Sequence, residues 1–336
     1  MPLYKSNFVS RTIGVEEHFA TRALIEGGAR GMAETQGYET AVSELLDVAA
    51  GRIAAMDRAG MGMQVLSLTA PGIEPLEPAE AVQAARAAND ELAKAVRAWP
   101  GRFAGLAVLP TSDPEAAAEE LARAVGEGFV GAVISGHSRG RYLDNPVFDV
   151  LFAAVERLNV PLFLHPTPPP PAVIEAAYSG EFSADVRMRF AGSGWGWHHE
   201  TGTHALRMIF GGVFDRFPDL QIILGHHGET IPMLLPRIER NFPQSVTGLD
   251  HSLRHYLQSN FYYTFGGWNW MSMFTPVQRL VGADRILFST DYPFSAMEEG
   301  HEFLGLLEVG DHERELIAHG NAERLFRIPP RPGENP

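Results

Sequence analysis

Four side chains that can bind a divalent metal ion lie at the ends of apolar segments. The segment "TIGVEEH" ends with Glu16 and His18, which are two residues apart and therefore share one face of an extended strand. The segments "VPLFLHP" and "RILFSTDYP" carry His165 and Asp291 near their ends. Imidazole and carboxylate groups that converge in a protein interior are costly to bury unless a cation compensates them. The sequence therefore predicts one divalent metal ion, Zn²⁺ or Mn²⁺, bound by these four residues.

Each of these residues also has a structural interpretation when it is taken alone. A single histidine at a strand end is often a hydrogen-bonded structural residue, and an aspartate there often caps the next helix. Glu17 should point away from Glu16 and His18, and we expect it to face outward in a salt bridge. The metal interpretation is favoured because four separate segments deliver ligand-type side chains to one rim, the fourth being "ILGHHGE" with His226, His227 and Glu229 at its end.

Eight apolar, β-branched segments alternate with helical segments along the chain. Continuous apolar runs of this kind are typical of parallel strands that are covered on both faces. The predicted strands are 12–18, 63–70, 103–110, 130–136, 160–166, 220–228, 261–267 and 285–293, and the clearest helices are 78–99, 113–127, 145–159 and 203–218. This alternation favours an α/β fold of the (β/α)₈ TIM-barrel type, in which functional residues lie at the carboxyl ends of the strands.

An insertion follows the fifth predicted strand, at residues 166–200. Its run "PTPPPP" cannot form a regular helix. The aromatic residues Phe190, Trp195 and Trp197 favour a packed lid. Two lid histidines, His198 and His199, either extend over the site with the tryptophans or belong to a lid that packs on its own aromatic residues.

The remainder of the chain is expected to complete the same unit. Residues 312–327 are predicted to form helices that close the barrel. We find no linker between the alternating segments, so residues 1–336 are expected to form a single domain.

The composition limits the classes of function. A hydrophobic content of 45% with 20% charged residues is that of a soluble globular protein, and no apolar run reaches the roughly 20 residues of a membrane span. The net charge of −14 argues against nucleic acid, although local arginines can still bind a small anionic substrate. The first residues lack the pattern of a secretion signal, so a cytoplasmic location is expected. The chain has no cysteine, so any metal must be bound by His, Asp or Glu.

The same segments resemble those of a known family. The series "GVEEHFA", "FLHP", "ILGHHGE" followed by "IPMLLPRIE", "DRILFSTDYPF" and "GNAERLF" is similar to the amidohydrolase superfamily, from Ile13 to Phe326. Within it, the chain resembles the amidohydrolase-2 group of γ-resorcylate, 2,3-dihydroxybenzoate and aminocarboxymuconate-semialdehyde decarboxylases. This resemblance implies a metal-dependent, non-oxidative decarboxylase on a (β/α)₈ barrel, which assembles as a homodimer or homotetramer.

The resemblance also implies roles for individual residues. The residues that match the metal ligands of the family are Glu16, His18, His165 and Asp291. His226 matches an active-site histidine near the substrate, with Glu229 orienting it. Arg237 matches an arginine associated with the site, and Phe294 matches an aromatic residue beside the substrate ring. In the segment "HPTPPPP", Thr167 stands where γ-resorcylate-type enzymes have an arginine, which leaves the substrate open.

These parts predict decarboxylation of a hydroxybenzoate-like or related unsaturated carboxylic acid. The metal would bind the phenolate and carboxylate oxygens, and Asp291 would protonate the carbon that loses CO₂, assisted by His226. His137 follows the fourth predicted strand with Arg139 and Arg141. This loop either meets the substrate carboxylate or is simply solvated.

Two other classes of function are compatible with the sequence. A mononuclear hydrolase of the lactonase or amidase type, or a hydratase, could use Asp291 to deprotonate metal-bound water. A binuclear hydrolase is disfavoured, because such enzymes carry a bridging lysine on the fourth strand, whereas the only lysines here are Lys5 and Lys94. A barrel that has lost catalysis and acts in binding is disfavoured by the presence of every proposed ligand.

Overall fold

Eight parallel strands form one sheet in sequence order. The structure is a computed structural model that describes residue 9 and residues 11–28 and 39–329. The strands are β1 (Ile13–Phe19), β2 (Met63–Leu68), β3 (Phe103–Val108), β4 (Gly131–Ser135), β5 (Leu162–His165), β6 (Ile222–Leu224), β7 (Phe261–Thr264) and β8 (Ile286–Leu287). Backbone hydrogen bonds then join β1 to the segment after β8: Val15 N donates to Phe288 O at 3.0 Å, and Asp291 N donates to Glu16 O at 2.9 Å. The predicted (β/α)₈ TIM barrel is confirmed.

Helices follow the strands as the sequence predicts. The helices are α1 (Arg22–Glu26), α2 (Glu39–Leu46), α3 (Ala50–Ala59), α4 (Pro78–Ala98), α5 (Pro114–Gly126), α6 (Asp149–Leu158), α7 (Pro171–Ala177), α8 (Ala184–Ala191), α9 (Gly196–Phe210), α10 (Val213–Arg216), α11 (Ile231–Asn241), α12 (Gln244–Thr247), α13 (Leu253–Ser259), α14 (Met271–Val281), α15 (Met297–Leu306), α16 (Asp311–Glu315) and α17 (Asn321–Phe326). Asp113 caps α5, since its Oδ1 accepts from Ala116 N at 3.1 Å. The predicted helix 203–218 is instead two helices, because Gly212 adopts a φ of 67° between α9 and α10.

Two strands are much shorter than predicted. The predicted strand 220–228 ends at Leu224, because the chain enters a left-handed turn after Gly225. The predicted strand 285–293 ends at Leu287, and Asp291 further on has a left-handed φ of 62°. In both places the polar residues of the site lie just beyond the strand rather than within it.

The barrel interior is apolar below its mouth. The buried residues that fill it include one inward side chain from each strand, namely Val15, Val65, Leu106, Val133, Phe163, Ile223, Tyr262 and Leu287. A second and larger apolar cluster lies between the strands and the surrounding helices. Because side chains fill the lower barrel, a site inside the barrel can form only at the carboxyl ends of the strands, as is usual for this fold.

The inserted segment 166–200 is largely helical. Residues 166–170 are irregular, which agrees with the proline run, and α7, α8 and the start of α9 follow. Phe190 packs within the lid, with its ring centroid 5.0 Å from that of Tyr178, and the ring centroid of Trp195 lies 4.2 Å from that of His199, although the two residues remain 37% and 53% exposed. Trp197 is half-buried, and its ring centroid lies 6.3 Å from that of His165. The lid therefore contacts the mouth of the barrel through α9 while α8 stays at the surface.

The closing helices of the C-terminal segment are confirmed as α16 and α17, with a wider helical turn at Leu316–Gly320 between them. Within the described residues, no helix combines the length and the apolar character needed to cross a membrane.

Candidate metal centre and the adjoining histidine cluster

Glu16 and His18 reach the barrel mouth because β1 contains a bulge. The pairing of β1 with β2 shifts register between Gly14 and Glu17. A bulge of this kind re-aims the side chains that follow it. Val15 and Glu16 lie within this shift and His18 lies beyond it, so all three side chains can face the barrel interior.

The structure brings the four predicted metal ligands together. Glu16, His18 and His165 each present one ligand atom, and these atoms lie within 4.8 Å of one another. Asp291 Oδ1 lies 3.1 Å from His18 Nε2. Ligands bound to a common ion at about 2.0–2.2 Å are separated by distances of this order.

Hydrogen bonds on the far side of each ring leave the inward nitrogen available. His18 Nδ1 lies 3.0 Å from Ser67 Oγ, and His165 Nδ1 lies 2.8 Å from the carbonyl oxygen of Pro166. This arrangement fixes the ring orientation and leaves Nε2 of both histidines for a metal. His18 Nε2 forms no hydrogen bond with any described residue despite its proximity to Asp291.

The two carboxylate oxygens of Glu16 also differ, because one forms a hydrogen bond and the other has no hydrogen-bond partner among the described residues. Its Oε2 accepts a hydrogen bond from Thr264 Oγ1, whereas its Oε1 is buried and has no hydrogen-bond partner among the described residues. Burial raises the pKa of Glu16 to about 7, and burial lowers the pKa of His165 well below its ordinary value. A neutral imidazole is the metal-binding form. A divalent cation fits this site, because it would satisfy the orphaned atoms and compensate the buried carboxylates.

Glycines make room for the carboxylate ligands. A Cβ atom at Gly225 would lie 2.5 Å from Glu16 Oε1, and one at Gly267 would lie 2.9 Å from Asp291 Oδ2. Gly267 also has a φ of 70°, which disfavours other residues.

Beside this centre lies a second buried cluster, formed by His198, His226 and Glu229. Residues 226–230 all have positive φ angles, between 48° and 77°. Such a run is strained for non-glycine residues, and it persists only where the surroundings impose it. The turn places His226 Nδ1 2.8 Å from Glu229 Oε1 and 3.7 Å from Glu16 Oε1. The predicted orientation of His226 by Glu229 therefore corresponds to a direct contact.

Charge is concentrated in this cluster. Burial would lower the pKa of His226, but the carboxylates of Glu16 and Glu229 raise it to about 10. Burial would raise the pKa of Glu229, but His226 and His198 hold it below its ordinary value. Glu229 is thus the hydrogen-bond acceptor of both histidines in this cluster.

The predicted substrate-binding residues occupy different surroundings. The Phe294 ring centroid lies 5.8 Å from that of His18, so this residue borders the centre. His137 is half-buried, its Nδ1 accepts from Gly140 N at 3.0 Å, and its ring is 5.9 Å from Tyr142. Arg237 is exposed on α11. Substrate binding by His137 and Arg237 stays a prediction.

Glu17 differs from its predicted state. It is fully buried on the other side of β1, where it accepts hydrogen bonds from Thr290 N at 2.8 Å and from Gln64 Nε2 at 3.1 Å. Burial raises the pKa of Glu17 to about 8. The expected outward salt bridge is therefore wrong, because neighbouring elements cover this face of the strand.

Sequence reasoning missed several groups that hold the site. The Ser67 and Thr264 hydroxyls have no recognisable sequence signal, although both stand near the ends of predicted strands. The sequence allows two interpretations of His198, and the structure places its Nδ1 2.7 Å from Glu229 Oε2.

The chain belongs to the amidohydrolase family, whose sequence profile matches residues 46–328. It is 36% identical to the γ-resorcylate decarboxylase of Polaromonas sp. (strain JS666) over 330 residues, which cover 94% of this chain and 98% of that protein. The suspected family is confirmed.

Solved structures resemble the fold closely. The dihydroxybenzoic acid decarboxylase of Polaromonas sp. JS666, solved with manganese and the inhibitor 2-nitroresorcinol, has a TM-score of 0.87 and 35% identity, over 95% of this chain and 97% of that one. The 5-carboxyvanillate decarboxylase of Novosphingobium aromaticivorans DSM 12444, solved with manganese and 4-hydroxy-3-methoxy-5-nitrobenzoic acid, has a TM-score of 0.88 and 30% identity, over 96% of this chain and 97% of that one.

Proposed function

We propose that this protein is a metal-dependent, non-oxidative decarboxylase of a hydroxylated aromatic acid or a related unsaturated carboxylic acid. The observation that carries the proposal is the convergence of four metal-ligand side chains beside a buried His226–Glu229 pair, in a chain of the amidohydrolase family. The names of the relatives support the reaction class, since they are decarboxylases of dihydroxybenzoate and 5-carboxyvanillate.

The proposed cofactor is one divalent ion per chain, held by Glu16, His18, His165 and Asp291. When bound, such an ion supplies Lewis-acid stabilisation of negative charge on the carboxylate and phenolate oxygens of the substrate. Mn²⁺ is better supported than Zn²⁺, because the two solved relatives contain manganese.

Asp291 is the proposed proton donor. Its carboxyl group gives a proton to the ring carbon that bears the substrate carboxylate. The carbon–carbon bond then breaks, its electrons restore the aromatic ring, and CO₂ leaves. A positioned general acid contributes about 100-fold to 10,000-fold in rate. His226, held by Glu229, is the proposed assisting group beside it.

The substrate is proposed to be a small anionic carboxylic acid. Phe294 is the proposed contact for its ring, because the phenylalanine borders His18. His137 is a proposed contact for the substrate carboxylate because it follows β4 at the carboxyl end of the barrel, and Arg237 is a proposed substrate-binding residue because it matches an arginine associated with the site in the family that the chain resembles.

We also propose that the chain assembles as a homodimer or homotetramer. The lid supports this, because Phe182, Val186, Phe190 and Trp195 expose apolar surface there. Such exposure is common at sites of protein association. Light scattering coupled to gel filtration measures the assembly directly.

The experiment that tests the proposed function is an assay of the purified, manganese-loaded protein with 2,6-dihydroxybenzoate and 5-carboxyvanillate. We expect CO₂ release, and in D₂O we expect one deuterium at the carbon that lost the carboxylate. Hydrolysis of simple lactones or amides, without CO₂ release from any hydroxybenzoate, would contradict the proposal.

A further inference from the structure

Glu229 is shared by two histidines from different parts of the fold. Its Oε1 lies 2.8 Å from Nδ1 of His226, and its Oε2 lies 2.7 Å from Nδ1 of His198. His226 belongs to the turn after β6, whereas His198 belongs to lid helix α9. All three side chains are at least nine-tenths buried. The carboxylate therefore connects the lid to the proposed active site.

These contacts are hydrogen bonds rather than an incipient second metal site. Tetrahedral ligands at about 2.0 Å from an ion lie roughly 3.3 Å apart. The two nitrogen–oxygen distances here are shorter, and each nitrogen faces its own oxygen. Both Nδ1 atoms must then carry protons, because an ionised carboxylate only accepts.

The imidazole of His198 is held on every side. Trp197 Nε1 donates to its Nε2 at 2.9 Å, and the carbonyl oxygen of Ser193 lies 3.0 Å from the same nitrogen. The ring of Trp268 lies 4.5 Å from its centroid, and the ring of His226 lies 4.8 Å from it. A side chain fixed in this way can in turn fix the carboxylate that it contacts.

From this geometry we infer that His198 is a positioning residue. Through Glu229 it holds the ring of His226 with Nε2 toward the substrate. The site is therefore complete only when helix α9 packs against the turn that carries Glu229. The inference rests on the proposed function, in which His226 assists the proton transfer. Without His198, Glu229 Oε2 would be buried with one partner fewer, and the carboxylate could rotate away from His226. A buried acceptor that loses its donor is costly, so rearrangement is favoured.

Two substitutions of His198 distinguish the effect of its hydrogen bond to Glu229 from the effect of its planar ring. His198→Phe keeps a planar ring but removes the donor, whereas His198→Asn places an amide N–H close to the position of Nδ1. The matched control is His199→Phe, because His199 is the next lid residue and its ring contacts Trp195, with 4.2 Å between the ring centroids. With 2,6-dihydroxybenzoate as the probe, we expect His198→Phe to lower kcat by about tenfold to 100-fold with KM changed less than threefold, since a charge-assisted hydrogen bond is lost.

The conservative variant and the control should behave differently. We expect His198→Asn to retain at least about a third of the wild-type kcat, and His199→Phe to remain within about twofold. A loss of kcat in His198→Asn equal to that in His198→Phe would overturn the inference, as would full activity in His198→Phe.

A second measurement does not depend on turnover. In the zinc-loaded, ¹⁵N-histidine-labelled protein, the Nδ1 proton of His226 should exchange slowly with water in the wild type and in His198→Asn. In His198→Phe we expect that exchange to be at least about tenfold faster, because the Glu229 carboxylate is no longer fixed. Equal exchange rates in all three proteins would overturn the inference. Absence of decarboxylation in the wild type would instead refute the proposed function and leave this comparison intact.

Discussion

Replacing Gly225 with alanine should disrupt metal binding through one atom of one ligand. A Cβ atom at this position would lie 2.5 Å from Glu16 Oε1, which is the oxygen that no described residue satisfies. An ordinary van der Waals contact is roughly 3.5 Å, so the carboxylate would have to move by about 1 Å. Metal–ligand distances are fixed within about 0.2 Å. The displaced oxygen would therefore no longer reach the ion.

The expected loss of Mn²⁺ affinity in Gly225→Ala exceeds the loss caused by changing a residue that only supports a metal ligand. Changes to the groups that merely support metal ligands cost about tenfold to 100-fold in affinity. We therefore expect Gly225→Ala to weaken Mn²⁺ binding by at least about 100-fold, measured by competition with a chelator of known affinity. The control is Gly126→Ala, because a Cβ atom there has no heavy atom within 4 Å. Circular dichroism should show the same helix content in both variants.

The reasoning would be refuted by a Gly225→Ala protein that binds Mn²⁺ with wild-type affinity. If a crystal structure of that variant shows Glu16 still bound to the ion, the assumption that Glu16 Oε1 needs the space beside Gly225 is wrong.

Two further predictions concern carboxyl groups. Asp291→Asn should leave the fold intact and lower kcat by at least about 100-fold, because the amide cannot deliver the proton; wild-type rates would remove Asp291 from the mechanism. Burial raises the pKa of Glu74 to about 7 from 4.5, so the folded state binds this proton more tightly than the unfolded chain. Its contribution to stability is therefore full below about pH 4.5 and is lost as the pH rises to about 7, by about 3 kcal/mol. Urea unfolding of Glu74→Gln at pH 5 and pH 8 should lack this part of the pH dependence, and an unchanged dependence would contradict the assignment.

The placement of the four ligands could be predicted from the sequence because it depends on one rule of the fold. Residues that follow parallel strands of a barrel meet at its carboxyl end, whatever their distance along the chain. His165 and Asp291 are 126 positions apart in the sequence and still border the same centre. The end of the sixth predicted strand brings His226 and Glu229 to the same rim by this rule, and the family resemblance added the roles of the two residues.

The remaining features depend on backbone conformations that have no simple sequence signal. The bulge in β1 and the left-handed turn at 226–230 both interrupt segments that read as continuous strands. Strand alternation predicts that Glu17 points away from Glu16 and His18, but it does not predict that Thr290 and Gln64 cover and satisfy Glu17 on that face. The contact between His198 and Glu229 joins positions 31 residues apart, and only the path of the lid brings them together.

The account rests on a single ion bound by Glu16, His18, His165 and Asp291. The most direct test is anomalous X-ray diffraction from crystals of the manganese-loaded protein. We expect one strong peak per chain, within about 2.3 Å of an atom from each of these four side chains. A peak among His198, His226 and Glu229 instead, or four side chains that point away from any peak, would contradict the central claim.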